Sequence, residues 1–407
     1  MAPCSEVCLS RSFDTQTSWA PTARLAAAGF IATAVAFGPA RMGFGLFLPA
    51  FREDFALSTS LAGAVASGGF AAFLAALPFA AWLDHKISAR TPIVIGALFA
   101  AAGFTLVASA QGPIALAAGV ALAGASAGFC WSPFNDAAER IVPARARPTA
   151  LSAVSTGTTL GVAAAGGLAL AVTLGALPWR WAWSLFAGVA VIAALAGAYG
   201  VRTGRERSVV ASGDDRPAFF RADTAPLYIA AILFGATNAA YLSFAADRVV
   251  SGGGLDVLPG EGAAAVIFIS YGAFGLAGLA TGWAEARLGL PRLLALVFAA
   301  FAASMALVAL APASWAGVVI SAGLHGAGVM TISAILSFWS LSLFPGRGAA
   351  GFTAALIGAA AGSVAGPMAL GALIDLTGAQ AAFVIAALPA GLAACLIAGP
   401  AGRLIRS

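Results

Sequence analysis

The sequence predicts an all-α membrane protein whose twelve transmembrane helices form two pseudo-symmetric six-helix bundles. Of its 407 residues, 61% are hydrophobic and only 9% are charged, whereas about 25% of a soluble globular protein is charged. The apolar residues form runs of about 20 or more, long enough to cross roughly 30 Å of hydrocarbon. A long polar stretch near the middle of the chain divides these runs into two sets of six.

The segments follow one another with short polar loops between them. The first six occupy residues 25–51, 58–83, 92–110, 113–138, 148–177 and 180–201. The second six occupy residues 225–247, 262–284, 291–311, 313–341, 348–374 and 379–400. Continuous apolar runs exclude the short alternating strands of a membrane β-barrel. The predicted organisation is a cytoplasmic tail over 1–20, a bundle over 21–201, a cytoplasmic linker over 202–224 and a bundle over 225–402.

Basic residues concentrate in alternate loops. With the N-terminus inside, all 21 lysines and arginines lie on the inner side except Arg52, Arg180 and Arg248, which lie outside, and Arg41, which lies within the membrane. The positive-inside rule therefore places both termini in the cytoplasm. The net charge of +5 reflects this topology, so no nucleic-acid partner is expected. Abundant arginine, alanine and glycine are typical of a GC-rich bacterial genome, which favours a bacterial inner membrane.

The two halves resemble each other in sequence. Gly157 and Gly161 in the fifth segment correspond to Gly358 and Gly362 in the eleventh. The loop at 83–90, LDHKISAR, corresponds to AEARLG at 284–289. Two repeats related by an axis along the membrane normal are typical of transporters that bind their substrate between the repeats.

The loop after the second segment carries a family signature. Asp84, His85, Lys86 and Arg90 resemble the loop Gly-x-Leu-x-Asp-Arg-x-Gly-Arg-Arg of the major facilitator superfamily of secondary transporters, with His85 in place of the first arginine. A degenerate copy containing Arg287 lies at the matching place in the second half. The resemblance covers residues 22–402 and implies the twelve-helix fold of that family.

In that family the loop acts as a conformational latch, which the resemblance assigns here to Asp84, Arg90 and Arg287. A carboxylate at the positive end of a neighbouring helix is physically favourable. The alternative is solvated loop charge that only follows the topology rule. Gly157 and Gly161 also resemble the family's antiporter signature, but Val162 occupies its proline position. This departure weakens the case for drug–proton antiport and leaves close helix packing as the simplest role of the glycines.

Arg41 is the one arginine well inside an apolar segment. It lies beside Gly38 and Pro39, which loosen the helix, and roughly 24 Å along it at 1.5 Å per residue. A charge at this depth is costly and usually faces a cavity. The planar guanidinium suits a carboxylate, sulfate or phosphate. The alternative is an arginine that extends outward to pair with Glu53 or Asp54.

His325 lies near the middle of the tenth segment. It is one of only two histidines and could bind a proton during a transport cycle. The alternative is a histidine that hydrogen-bonds a neighbouring helix. Other polar and aromatic residues of the helices that line the cavity in this family complete the expected substrate site. They are Trp131, Asn135, Asn238, Tyr241, Tyr271 and Trp339.

No enzyme motif, nucleotide-binding loop or metal-ligand spacing is present in the sequence. We therefore expect a monomeric secondary transporter in the lipid bilayer, without cofactor or metal, that moves a small solute by alternating access. Arg41 and His325 favour an organic anion such as a monocarboxylate, and proton coupling stays open. One alternative is an efflux carrier for hydrophobic or drug-like compounds. Another is a non-transporting membrane sensor on a transporter scaffold.

Overall fold

The structure, a computed structural model, describes residues 19–201, 221–344 and 348–399. The expected tail over 1–18, most of the linker (202–220) and the end of the second bundle (400–402) lie outside these residues. Within the described ranges, some side chains also lie outside the description: those of Trp19, Ala20, Asp84, His85, Trp131, Ser132, Ala144, Pro148, Gly260, Glu261 and residues 348–350.

The first half is entirely helical in its described residues, apart from short connections. Its helices are α1 (Trp19–Phe37), α2 (Pro39–Leu46), α3 (Leu48–Phe55), α4 (Thr59–Lys86), α5 (Arg90–Ala108), α6 (Pro113–Ser126), α7 (Trp131–Ile141), α8 (Arg147–Leu174) and α9 (Trp179–Gly200).

The described residues of the second half are also helical. Its helices are α10 (Ala225–Ser251), α11 (Gly260–Gly275), α12 (Thr281–Leu288), α13 (Leu290–Leu310), α14 (Trp315–Leu343), α15 (Gly348–Thr377) and α16 (Ala379–Ala398). A short 3-10 segment joins α6 to α7, and another joins α11 to α12.

Twelve helical spans in the described chain are long and apolar enough to cross a membrane, which confirms the predicted number. Each overlaps one predicted segment. Three spans are interrupted: the first breaks at Gly38 between α1 and α2, and the 3-10 segments divide the fourth and eighth. Gly38 interrupts the helix because its ψ of −102° is not helical and Pro39 then begins α2.

An even number of spans brings the described chain ends to one face of the bundle. We call this side the terminal face; it also carries residues 87–89. The opposite side, the distal face, carries the turns at 56–58, 175–178 and 252–259. One apolar core contains residues of both halves, among them Phe44 and Tyr241.

Glycines allow the same helix pair to pack closely in each half. A Cβ on Gly161 of α8 would collide with the carbonyl oxygen of Ala34 on α1. At the corresponding place in the second half, a Cβ on Gly362 of α15 would collide with the carbonyl of Ile232 on α10. The repeated glycines therefore bring the first and fifth spans of each half together.

Polar contacts join the two halves at the distal face. The Nη1 atom of Arg52 on α3 lies 2.7 Å from Oδ2 of Asp247 on α10. Asp375 on α15 accepts a 3.0 Å hydrogen bond from the backbone N–H of Ser60, in the first turn of α4, and a further one from the Ser60 hydroxyl. This carboxylate therefore meets the positive end of a helix that belongs to the other half.

A separate set of hydrogen bonds fixes the start of the second half at the terminal face. Arg221 donates a 3.1 Å hydrogen bond to the carbonyl of Leu343, at the end of α14, and two to the carboxylate of Asp223. The Arg221 guanidinium holds the pKa of Asp223 below its usual value. These hydrogen bonds connect the chain just before α10 to the last turn of α14.

Candidate functional site

Arg41 lies in the short helix α2, between the break at Gly38 and the second break at Phe47. Neighbouring elements occupy the space beside the glycines around Arg41. A Cβ on Gly43 would contact the Trp183 ring at 3.0 Å, and one on Gly45 would collide with the carbonyl of Leu242. These glycines fix α2 against the helices α9 and α10, which is a packing role.

The charge of Arg41 lies against three aromatic rings. Its guanidinium carbon is 4.6 Å from the ring centroid of Phe73, 5.4 Å from that of Phe70 and 5.7 Å from that of Phe37. All three distances are within the range of a cation–π interaction, which contributes about 0.5–2 kcal/mol each. The Nε atom is buried and has no hydrogen-bond partner among the residues that the structure describes.

The structure gives the nearby Asp54 other partners. Asp54 accepts a 2.9 Å hydrogen bond from the indole N–H of Trp179 and a 3.0 Å one from Arg180, on the distal face. Glu53 is exposed and lines a separate open cavity of about 430 Å³ with residues of both halves. Arg41 thus lies among phenylalanines, and the described contacts do not pair it with either carboxylate.

Arg41 lines a narrow cavity of about 20 Å³ between the two halves, which is room for about one water molecule. Small residues form much of its first-half wall, and α10 supplies the second-half wall. Apart from Arg41 itself, the lining residues are Ala40, Phe44, Gly45, Ala66, Gly69, Phe70, Val120, Gly124, Leu242 and Ser243. The cavity therefore combines one guanidinium with apolar surroundings and a single hydroxyl, that of Ser243.

His325 lies inside the second half. Its side chain is fully buried, with its ring stacked on Tyr241 at a centroid distance of 3.9 Å and inclined to Phe301 at 4.8 Å. The Nδ1 atom lies 3.0 Å from the hydroxyl of Ser304, which contacts the hydroxyl of Ser321 at 3.2 Å. The other ring nitrogen, Nε2, is buried and finds no hydrogen-bond partner in the described part of the chain.

A hydrogen-bonded network surrounds this histidine. The phenol of Tyr241 lies 3.0 Å from the Ser321 hydroxyl, and that hydroxyl also donates to the backbone carbonyl of Ser304 at 2.8 Å. The stack and the network hold His325, which lies on α14, against α10 and α13. The described lining of the Arg41 cavity does not include it.

Tyr271 lies beside His325 in the second half. Its hydroxyl donates a 3.1 Å hydrogen bond to Oδ1 of Asn238, and its ring centroid is 6.2 Å from that of His325. No described hydrogen bond, ion pair or ring contact joins Tyr271 to Arg41, and the described lining of the Arg41 cavity does not include Tyr271.

The remaining predicted residues are dispersed. Asn135 is half-buried on α7, and Trp339 is buried in the apolar core on α14. Arg90 begins α5 and is half-buried, while Arg287 is exposed with its guanidinium carbon 4.5 Å from the Trp283 ring centroid. The side chains of Trp131 and Asp84 lie outside the described residues, so the latch expected at Asp84 stays a prediction.

The sequence analysis missed several partners of the predicted residues. Phe70 and Phe73 contact Arg41 and are three positions apart on α4, which places them on one helix face. That spacing was the available signal. Ser304 and Ser321 have no comparable signal, because isolated serines in apolar segments are common. Among the described residues, no group of histidine, cysteine, aspartate or glutamate side chains could hold a metal ion.

Comparisons with known proteins agree with this architecture. The sequence profile described as Major Facilitator Superfamily matches residues 25–334. A search of curated protein sequences found no match. Solved structures share the fold at low sequence identity. A mutant of the nucleoside transporter NupG superposes with a TM-score of 0.76 at 14% identity, covering 93% of this chain and 99% of that chain.

Two further structures are similar over nearly the whole chain. A mutant of the peptide transporter POT in complex with sulfate has a TM-score of 0.76 at 15% identity, covering 95% of each chain. A bacterial homologue of the human lysosomal transporter Spinster has a TM-score of 0.68 at 17% identity, covering 95% of this chain and 96% of that chain. With the profile match, the twelve spans and the cavity between two halves, the chain belongs to the Major Facilitator Superfamily and is a multi-pass membrane protein, a secondary transporter of that type.

Proposed function

We propose that this transporter moves a small organic anion, such as a monocarboxylate, by alternating access of its two halves. The observation that carries the proposal is the charge of Arg41, which lines the cavity between the halves and has aromatic rings rather than a carboxylate as its described neighbours.

The physical argument rests on charge compensation. A charge inside the membrane costs at least about 2.5–3.5 kcal/mol on insertion scales, so it is usually paired or functional. Aromatic rings offset part of this cost but accept no charge. A carboxylate that entered the cavity would supply the missing negative charge, and the planar guanidinium would bind it through two parallel hydrogen bonds.

Once the rocking of the two halves widens the cavity, its apolar wall would suit the rest of such a substrate. Phe44, Val120 and Leu242 would contact a short hydrocarbon portion, while the hydroxyl of Ser243 offers one polar contact. We also propose Tyr271 and Asn238, which hydrogen-bond each other in the second half, as further members of the site. The roles of Trp131, Asn135, Tyr241, His325 and Trp339 in substrate binding, and of Asp84, Arg90 and Arg287 in a latch, remain parts of the proposal.

We further propose that the terminal face is cytoplasmic, that the membrane is a bacterial inner membrane and that the protein is a monomer. The loop arginines support this orientation through the positive-inside rule. Proton coupling through His325 belongs to the same proposal, and an imposed pH gradient across vesicles tests it directly.

Uptake into proteoliposomes tests the proposed substrate class. The wild type should accumulate labelled acetate, L-lactate or benzoate, whereas Arg41→Ala should lose at least about 90% of that flux because the fixed cation is gone. Arg145→Ala is the matched control, since it removes the same charge from an exposed position. It should transport normally.

Two outcomes would contradict the proposal. Anion transport retained by a folded Arg41→Ala protein would show that the cation does not bind the substrate. A wild type that transports none of the anions but carries hydrophobic drug-like compounds would favour the efflux alternative. Thermal unfolding of each variant confirms that a lost flux is not a lost fold.

A further inference from the structure

Arg41 is surrounded by three phenylalanines, Phe37, Phe70 and Phe73. Their arrangement affects which N–H groups of Arg41 can bind a ligand. We define these three residues as the aromatic cage. The rings come from two places: Phe37 is the last residue of α1, and Phe70 and Phe73 lie on one face of α4. Phe70 and Phe73 are buried and Phe37 is half-buried.

Two kinds of neighbour can stabilise a buried guanidinium. A carboxylate would pair with the charge and occupy the N–H donors. A ring face attracts the cation electrostatically and leaves those donors free. The unpartnered Nε of Arg41 matches the second case.

From this we infer that Phe37, Phe70 and Phe73 are positioning residues that hold the Arg41 charge at the cavity and keep its donors available for an anion. The aromatic cage is independent of any ligand, whereas its role in transport rests on the proposed function. Preorganisation of this kind raises affinity because less freedom is lost when the anion binds. Phe73 is expected to contribute most, since it is the closest ring.

Fluorination separates this electrostatic role from simple packing. Phe73 is replaced in turn by mono-, di- and trifluorophenylalanine, which weaken the ring's negative face while they change its shape little. In the protein that keeps Arg41, the unfolding temperature should fall stepwise, by about 1–3 °C over the series. In the Arg41→Met background the series should be flat, because no cation remains.

Phe104 provides the matched control. It is fully buried in the same half and packs on Trp183 and Phe186, with centroid distances of 5.6 and 5.9 Å. The same fluorinated series at Phe104 should change the unfolding temperature equally in the protein that keeps Arg41 and in the Arg41→Met background. The aromatic cage would be overturned if the series at Phe73 left the unfolding temperature unchanged, or lowered it equally in both backgrounds.

The transport role has its own readout. With labelled benzoate as the probe, trifluorophenylalanine at position 73 should raise KM about 2–5-fold and change kcat little, because ground-state positioning is weakened. An unchanged KM with a stepwise fall in unfolding temperature would leave the rings as a purely structural support and overturn the positioning role. If Arg41→Ala transports benzoate normally, the proposed function fails while the aromatic cage is still decided by the unfolding series.

Discussion

At the scale of single residues, the two buried ionisable groups are accommodated by different means. Arg41 lies against ring faces and keeps a donor that no described residue partners, which suits a site that binds an anion. His325 is held by a stack and a hydrogen bond within one half. Its environment favours the alternative interpretation, in which His325 hydrogen-bonds a neighbouring helix and is held in place by that bond.

Substitutions of His325 test how much of its role is packing. His325→Phe keeps a planar ring between Tyr241 and Phe301 and removes a neutral hydrogen bond together with the unpartnered Nε2. We expect the free energy of unfolding to stay within about 1 kcal/mol of the wild type. His325→Ala should lose about 2–4 kcal/mol because it leaves a void.

Thermal or chemical unfolding in lipid nanodiscs measures both variants. Equal stability of His325→Phe and His325→Ala would show that the ring does not contribute packing. The same His325→Phe protein in vesicles tests proton coupling: a transport rate that no longer responds to an imposed pH gradient would assign the coupling to this histidine.

At the scale of helices, glycine spacing decides which pairs approach closely. The repeated motif of the fifth and eleventh spans packs each of them on the first span of its own half. Not every glycine of the fifth span is used in this way. A Cβ on Gly167 would meet no atom of the described residues within 4 Å, whereas one on Gly161 would collide with α1.

This difference gives a controlled comparison on one helix. Gly161→Ala should destabilise the protein by about 1–3 kcal/mol, because α1 and α8 must move apart. Gly167→Ala should be neutral or stabilising by up to about 1 kcal/mol, because alanine favours the helix. Unfolding temperatures in nanodiscs measure both, and a Gly161→Ala protein as stable as Gly167→Ala would contradict the proposed close packing.

At the scale of the whole molecule, the described contacts hold the halves together at the distal face. Arg52 pairs with Asp247, and Asp375 accepts hydrogen bonds at the start of α4. Deeper in the interface, the backbone N–H of Met368 donates to the Ser67 hydroxyl at 3.1 Å. In both charged contacts the second half supplies the carboxylate. Each carboxylate therefore favours a closed distal face.

Loss of these carboxylates should shift the molecule toward a distal-open form. We expect Asp247→Asn and Asp375→Ala each to raise the distal-open to distal-closed ratio about 3–10-fold, as the loss of a partly solvated charged contact implies. Spin labels at Gln111 and Gln380, exposed on the distal side of opposite halves, report the separation of the halves in a background without native cysteines.

Asp256→Ala is the control for this experiment, since it removes an exposed carboxylate from the same face. Its distance distribution should match that of the wild type. The charge-swapped pair Arg52→Asp with Asp247→Arg should restore the closed population that either single change reduces. Unchanged distances in all the carboxylate variants would show that apolar packing alone closes this face.

The predicted fold and the predicted site differ in how far the structure supports them. All twelve spans and the duplicated six-helix arrangement followed from hydropathy and loop positions, because the length of an apolar run and its flanks are local properties. For the site, Arg41 was found because a charge in an apolar run stands out. Its rings, by contrast, are distant in sequence, and the spacing of Phe70 and Phe73 says only which helix face they share.

The sequence by itself determined the number of spans, the duplicated architecture and the unusual position of Arg41. Only the tertiary structure decided where that arginine points. Glu53 and Asp54 follow Arg41 at the end of the same predicted segment, so the sequence allowed Arg41 to pair with either of them. Asp54 instead bonds Trp179 and Arg180, and α4 brings two phenylalanines to the guanidinium. Such a choice depends on how helices are rotated against one another, which side-chain packing across spans sets and hydropathy does not.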